Sequence, residues 1–82
     1  MSDRERLLAK IRSRPNSVRF DELTKLLCWY GFELRRVRGS HHLYRRGSFN
    51  VVVPRRTPHV HSYVVKQVIQ IIDESMAESE ES

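Results

Sequence analysis

The architecture of this chain follows from residues 32–54, which read FELRRVRGSHHLYRRGSFNVVVP. Apolar and polar side chains alternate in three short runs, and a period of two is typical of β-strands that bury one face. Arg38-Gly39 and Gly47-Ser48 separate the runs, and such glycine-containing pairs are typical of tight turns. Pro54 ends the third run, because proline has no N–H group to donate to a neighbouring strand. The segment therefore predicts a three-stranded antiparallel meander.

Helical periodicity flanks the meander on both sides. Before it, residues 4–13 predict one helix, and a second begins after the N-cap residue Asp21 and ends at Gly31. After it, Ser62 is the expected N-cap of a third helix. The apolar positions at helical spacing are Leu7, Leu8, Ile11, Leu23, Leu26, Leu27, Tyr30, Val64, Val65, Val68, Ile69, Ile71 and Ile72. The order α-α-β-β-β-α predicts an α+β two-layer sandwich, with the helices on one face of the sheet and the other face open to solvent.

Length and composition place the chain among small soluble proteins. Its 82 residues, 39% hydrophobic and 30% charged, allow one small domain. No apolar run approaches the roughly 20 residues of a membrane span. The charged N-terminus lacks the apolar segment of a signal peptide, and the single cysteine, Cys28, fits a reducing compartment. We therefore expect a cytoplasmic protein that does not contact membranes.

Positive charge is concentrated before residue 73. The chain has fifteen Lys and Arg against ten Asp and Glu, but five of the acids lie in residues 73–82. Residues 1–72 therefore carry fifteen basic and five acidic groups, a net charge of +10. A guanidinium group matches phosphate oxygens in pairs, so this charge favours a nucleic-acid partner over a basic surface with no specific ligand.

The residues best suited to chemistry lie in the segment 35–46, RRVRGSHHLYRR. A neutral imidazole can take the proton of a ribose 2′-hydroxyl, and nearby arginines can stabilise charge on the phosphoryl oxygens. This combination suits cleavage of RNA without a metal, and DNA lacks the 2′-hydroxyl. The alternative is a histidine pair that only contributes surface polarity. Strand alternation places His41 and His42 on opposite faces, so at most one of them points into a given site.

Four stretches together resemble the HicA-type mRNA interferase toxins of toxin–antitoxin modules, also called the YcfA-like family. They are residues 26–34 (LLCWYGFEL), the basic strand 35–38, residues 39–45 (GSHHLYR) and residues 52–54 (VVP), and the resemblance covers residues 19–73. It implies a fold similar to the double-stranded-RNA-binding domain. It also implies an endoribonuclease that cleaves mRNA through a histidine on the second strand and is neutralised by a HicB-type antitoxin.

The resemblance also assigns candidate site residues. The Gly-Ser-His motif of the family corresponds to Gly39-Ser40-His41, which makes His41 the expected general base and His42 the alternate. The proton donor to the leaving oxygen stays open between Tyr44, an arginine and water. The residues expected to contact RNA are Arg36, Arg38, Gly39, Ser40, Tyr44, Arg45, Arg46 and Lys66.

No metal or other cofactor is expected. His59 and His61 form a His-x-His pair, and Cys28 and His41 would complete a set of four ligands. These residues are scattered, however, and no Cys-x-x-Cys pair accompanies them. Cys28 is instead expected to be a small buried side chain of the second helix.

The chain departs from the family at both ends and in one loop. Residues 1–18 form a helical extension, and residues 74–82 form an acidic tail that we expect to be disordered and able to shield the basic surface. The loop from Arg55 to His61 differs from that of the family, so no contact residues are transferred to it. A non-catalytic RNA-binding module of the same fold is the main alternative function, and a toxin that retains only partner binding is a second. The arginines lie around the strands beside His41, which favours the enzyme.

Overall fold

The chain folds as three helices and one antiparallel sheet. A computed structural model describes residues 2–81, with the side chains of residues 2–78. The elements are α1 (Asp3–Ser13), α2 (Phe20–Trp29), β1 (Glu33–Arg38), β2 (His41–Arg46), β3 (Phe49–Pro54) and α3 (Ser62–Glu81). The predicted element order and the α+β class are confirmed, whereas the closer likeness to a double-stranded-RNA-binding domain stays a prediction.

The sheet is a meander with the order β1-β2-β3. Two tight hairpins join the strands, and each neighbouring pair is antiparallel. The pairing of β1 with β2 shifts between Leu34 and Arg36, so Arg35 forms a bulge. Because directly paired residues share a face, the register determines which side chains point toward the helices.

The layer of helices lies on one side of the sheet. Tyr44, Val51 and Val53 are buried on that face, where α3 packs on β3. Helix α1, the N-terminal extension, packs on α2 and α3 and not mainly on the sheet. The remaining buried apolar side chains are Ile11, Val18, Leu23, Leu26, Leu27, Tyr30, Phe32, Val60, Val64, Val65, Val68, Ile69 and Ile72. The opposite face of the sheet is left open.

Strand β1 extends beyond the cover of the helices. Leu34 pairs with Tyr44 and Val37 pairs with His42, so both lie on the side that faces the helices. Their side chains are nevertheless 48% and 52% exposed. The apolar alternation of this strand thus correctly identifies the face on which Leu34 and Val37 lie, but it does not show that they are buried.

The starts of two helices differ from the sequence prediction. Helix α2 begins at Phe20, with Arg19 as its N-cap, so Asp21 lies in the first turn. The backbone N–H of Arg19 donates to a carboxylate oxygen of Glu22 at 3.1 Å, and no side chain of the N-cap residue accepts from the first turn. Ser62 is the first residue of α3 rather than its cap.

The acidic C-terminal segment continues α3 through Glu81, where disorder was predicted. Just beyond Ile72, two residues of the helix still have partners. Ser75 is buried and its hydroxyl donates to the carbonyl of Ile72, and Met76 packs against the core. Twenty helical residues rise about 30 Å, so the acidic end of α3 lies far from His61 at its start. Ser82 lies outside the described residues.

Two neighbouring side chains of α2 are exposed to solvent. Cys28, expected to be buried, is exposed. Trp29 is also exposed, and the ammonium group of Lys25 lies 4.6 Å from the centre of its ring. Both residues follow Leu27 at angles that turn away from the buried stripe of α2, which contains Leu23, Leu26 and Leu27. No helix in the described part of the chain is both long enough and apolar enough to span a membrane.

Candidate functional site

The β1–β2 hairpin brings the predicted motif to one end of the sheet. Gly39 has a φ angle of +59°, a left-handed conformation that residues with a Cβ rarely adopt, so glycine permits the tight turn. The turn places Arg38 directly across from His41, and β3 adds Pro54 on the other side of His41. Arg38 and His41 thus share the open face at the end of the sheet.

His41 and His42 point to opposite faces of the sheet, as the alternation predicts. His41 is exposed on the open face. His42 pairs with Val37 and with the buried Val53, so it faces the helices and is half-buried. Only one of the two can therefore act on a molecule bound to a given face.

The imidazole of His42 is held in a defined orientation. Its ring lies 4.8 Å from the ring of Phe20 in an edge-on arrangement. Its Nδ1 atom lies 3.0 Å from the carbonyl oxygen of Ser40. A carbonyl oxygen only accepts hydrogen bonds, so Nδ1 carries a proton and donates, and in the neutral ring Nε2 then has the lone pair.

Three of the predicted RNA-contacting arginines share the open face with His41. Arg38 lies opposite His41, Arg36 lies opposite Leu43, and Arg45 lies opposite Asn50, and all three arginines are exposed. The Nε atom of Arg45 donates to the carbonyl of Gly47 at 2.8 Å, which fixes part of its side chain. These three arginines form a basic strip along the open face.

Tyr44 and Arg46 lie on the helix-facing side of the same strand. Tyr44 is only 6% exposed, and burial raises the pKa of its phenol, which lies near Cys28 and Thr24. Arg46 reaches Ser75 and Met76 of α3 through Nη1, at 3.4 and 3.5 Å. Neither side chain belongs to the basic strip.

Lys66 also lies apart from the basic strip. It lines a groove between α1 and α3 whose other residues include Arg12, Asp73 and Glu74. Two carboxylates therefore share its surroundings, while the guanidinium of Arg12 binds Asp73 through two hydrogen bonds of 3.0 and 3.2 Å. This position is in the helical layer and not on the open face.

The loop from Arg55 to His61 joins the site from the other side of β2. The backbone N–H of Arg55 donates to the carbonyl of Ser40 at 2.7 Å, so the loop begins beside the Gly-Ser turn. The guanidinium of Arg55 lies 5.6 Å from the ring of Phe20, which also contacts His42. Sequence reasoning left Arg55 unassigned. The signal lay in the arginine pair after Pro54, but only the strand register shows that Pro54 lies beside His41.

The structure does not gather the four ligands considered for a metal. Within the described residues, no group of three or more histidine, cysteine, aspartate or glutamate side chains is arranged to hold a metal ion. His61 instead contacts Arg56, and Cys28 lies on α2.

Part of the chain matches the model of a known protein family. The family model described as HicA toxin of bacterial toxin-antitoxin matches residues 20–73, which is more than half of the chain. Comparisons with curated proteins and with solved structures gave no match. The matched range contains α2, the whole sheet and the larger part of α3.

Proposed function

Because this chain belongs to the HicA family of toxins from toxin–antitoxin modules, we propose that it is an endoribonuclease that cleaves single-stranded mRNA without a metal ion. The observation that carries the proposal is the pairing of His41 with Arg38 on an open, basic sheet face. An imidazole and a guanidinium on one accessible face are the two groups that this reaction needs.

In the proposed reaction, His41 acts as the general base. Its imidazole takes the proton of a ribose 2′-hydroxyl, and the oxygen attacks the adjacent phosphorus. A bond forms between O2′ and phosphorus while the bond from phosphorus to O5′ breaks, and water supplies the proton that O5′ receives. The products are a 2′,3′-cyclic phosphate and a 5′-hydroxyl end. Arg38, opposite His41, stabilises the charge that develops on the phosphoryl oxygens.

The remaining predicted contacts bind the RNA backbone. Arg36 and Arg45 extend the basic strip away from His41 along the sheet. Gly39 and Ser40 allow the backbone of the turn to approach a phosphate closely. Arg46, Tyr44 and Lys66 are left out of the proposed RNA contacts because their side chains lie on the helix-facing side or in the helical layer.

His42 is the alternative general base, and the defined orientation of its ring supports this role. The Nδ1–H group donates to Ser40, so the lone pair on Nε2 is available to accept a proton. Such a histidine would act on RNA lying over Phe20 and Arg55 rather than on the open face. We assign the base to His41 because the basic strip lies on its face, and His42 then positions the turn that precedes it.

Membership of the family implies an antitoxin partner. We propose that this partner is of the HicB type and that both proteins act in the cytoplasm. The basic strip is the surface that such an antitoxin would have to cover to block access of RNA to His41.

The test is cleavage of a mixed-sequence single-stranded RNA in excess EDTA by the wild type and by His41→Ala, His42→Ala and Asn50→Ala. Asn50 lies on the same open face, next to Arg45, and serves as the matched control. We expect cleavage by the wild type and Asn50→Ala, cyclic phosphate ends on the products, and no cleavage by His41→Ala. Loss of cleavage in His42→Ala alone would assign the base to His42. Retention of RNA without cleavage by any of the proteins would favour the non-catalytic RNA-binding module.

A further inference from the structure

The loop that follows β3 is held in place at both of its ends. At its start, the N–H of Arg55 donates to Ser40, the residue before His41. Near its end, the N–H of Val60 donates to the carbonyl of Val18 at 2.8 Å, and the side chain of Val60 is buried. On either side of Val60, His59 is therefore held half-buried and His61 exposed, in a loop whose first residue is bonded to the residue before His41.

Within this loop, Arg56 and His61 bind each other. Nη1 of Arg56 lies 3.0 Å from Nδ1 of His61. A guanidinium only donates hydrogen bonds, so Nδ1 accepts and the ring proton is on Nε2. His61 thus presents an N–H donor away from Arg56, and the other guanidinium N–H groups remain available as donors.

His61 also supports an exposed aromatic ring. The rings of His61 and Tyr63 are stacked, with centroids 5.4 Å apart and planes inclined by 29°. Tyr63 is 63% exposed, the largest fraction among the exposed large hydrophobic side chains of the described chain. A flat ring that is oriented by a neighbour yet open to solvent is suited to stack on a nucleobase.

Next to this stack lies a polar cleft of about 340 Å³. Its lining residues are Asn16, Arg56, Pro58, His59, Val60, His61 and Ser62, and none of these described residues is a carboxylate. Amide, guanidinium, imidazole and hydroxyl donors on one concave surface suit a phosphate group.

We propose that Arg56, His61 and Tyr63 form a nucleotide-binding subsite for single-stranded RNA, beside the site on β2. Tyr63 stacks on one base of the RNA, while Arg56 and the Nε2–H of His61 bind its phosphate. The proposal rests on the proposed function in taking RNA as the ligand. Stacking accepts every base, so the subsite adds affinity and positions the strand without selecting a sequence.

The test measures binding separately from cleavage. A fluorescein-labelled RNA oligonucleotide with 2′-O-methyl groups lacks the nucleophile, so its anisotropy reports affinity for the intact chain. The variants are Tyr63→Ala, Tyr63→Leu, Tyr63→Phe and Arg56→Ala. Lys25→Ala is the matched control, because Lys25 is an exposed cation of α2 that stacks on Trp29. Circular dichroism melting curves establish that each variant is folded.

We expect Tyr63→Ala and Tyr63→Leu to weaken binding about tenfold, and Tyr63→Phe and Lys25→Ala to bind like the wild type. Arg56→Ala should weaken binding and lower the slope of log affinity against log salt by about one. Wild-type affinity in folded Tyr63→Leu overturns the subsite. This result overturns the subsite even if Tyr63→Leu no longer binds a partner protein, because the surface would then serve that protein and not RNA.

The two proposals fail in different ways. If natural RNA is never cleaved but binding still depends on Tyr63, the subsite stands and the endoribonuclease proposal fails. If RNA is cleaved and the Tyr63 variants bind and cleave like the wild type, the enzyme stands and the subsite fails.

Discussion

The Nδ1 atom of His42 lies 3.0 Å from the carbonyl oxygen of Ser40, two residues before it in the chain. The same carbonyl accepts the backbone N–H of Arg55 at 2.7 Å. One oxygen therefore joins the Gly-Ser turn, the histidine pair and the loop after β3. This arrangement couples the position of His41 to groups that are distant in the sequence.

The role of His42 in this arrangement can be tested by comparing His42→Ala with His42→Asn. Asparagine keeps a short N–H donor for Ser40, whereas alanine removes both that bond and the contact with Phe20. We expect His42→Ala to lose about 1–2 kcal/mol of unfolding free energy and His42→Asn to lose less. Thermal denaturation measures both. Equal melting temperatures of His42→Ala and the wild type would contradict the positioning role.

Arg38 should contribute to RNA affinity through its charge. It lies opposite His41 on the open face, so Arg38→Ala would remove the phosphate contact that we propose for this residue. We expect weaker binding to every RNA sequence and a salt slope lower by about one. Anisotropy titrations at several salt concentrations measure this effect, with Lys25→Ala as control. An unchanged salt slope would show that phosphates do not reach this part of the sheet.

Gly31 should tolerate substitution less well than Gly39. Gly31 has a φ angle of +89°, and an added Cβ would lie 3.3 Å from Nε of Arg46. Gly39 has a φ angle of +59° and no atom within 4 Å of such a Cβ. Gly39→Ala should therefore cost about 1–2 kcal/mol from backbone strain alone. Gly31→Ala should cost more, because Arg46 must also move.

Urea denaturation of the two alanine variants measures this difference. Because Arg46 bridges β2 to α3, we also expect Gly31→Ala to disturb its contact with Ser75. An equal loss of unfolding free energy in both variants would mean that the side chain of Arg46 moves aside at no cost.

Glu22 should make the stability of the fold dependent on pH in the acidic range. Partial burial raises the pKa of its carboxyl group, but the hydrogen bond from Arg19 and the charges of Arg14 and Lys10 outweigh this, so the pKa is lowered. A lowered pKa in the folded state means that the carboxylate stabilises the fold above its unfolded pKa, near 4.5. This contribution is lost as the pH falls through the folded value, below 4.5.

The variant Glu22→Gln tests this dependence. At pH 7 it should be less stable than the wild type by about 1 kcal/mol, which lowers the melting temperature by roughly 4–8 °C. The difference should shrink as the pH falls below 4.5. Glu33→Gln is the control, because Glu33 is exposed on β1. If the difference in melting temperature between Glu22→Gln and the wild type stays constant from pH 7 to pH 3, Glu22 is not the source of this pH dependence.

The fold was largely predictable because its signals are local. The strand period of two, the helical spacing and the Gly39 and Gly47 turns each act within a few residues. The boundaries of the helices were less predictable. Asp21 was the expected cap of α2, but Arg19 holds that position because its N–H group finds Glu22. Helix α3 also continues past Ile72 to a contact of Met76 with the core, which no local pattern reveals.

The candidate site was only partly predictable, for the same reason. Alternation separates His41 from His42, and the Gly-Ser turn follows from residue type. Nothing local places Tyr44 and Arg46 under the helices, since that depends on the packing of α3 against the sheet. The exposed stack of His61 on Tyr63 likewise spans a loop and a helix start.

The sequence by itself determined the order of the elements, the two faces of each strand, the excess of positive charge and the resemblance to the family. These depend on side-chain periodicity and residue type, which are properties of neighbouring residues. Only the tertiary structure decided which face of β2 the helices cover, that Pro54 brings Arg55 to Ser40, and that α3 continues through Glu81. Those outcomes depend on burial and hydrogen bonding between segments far apart in the chain, and such contacts exist only once the chain has folded.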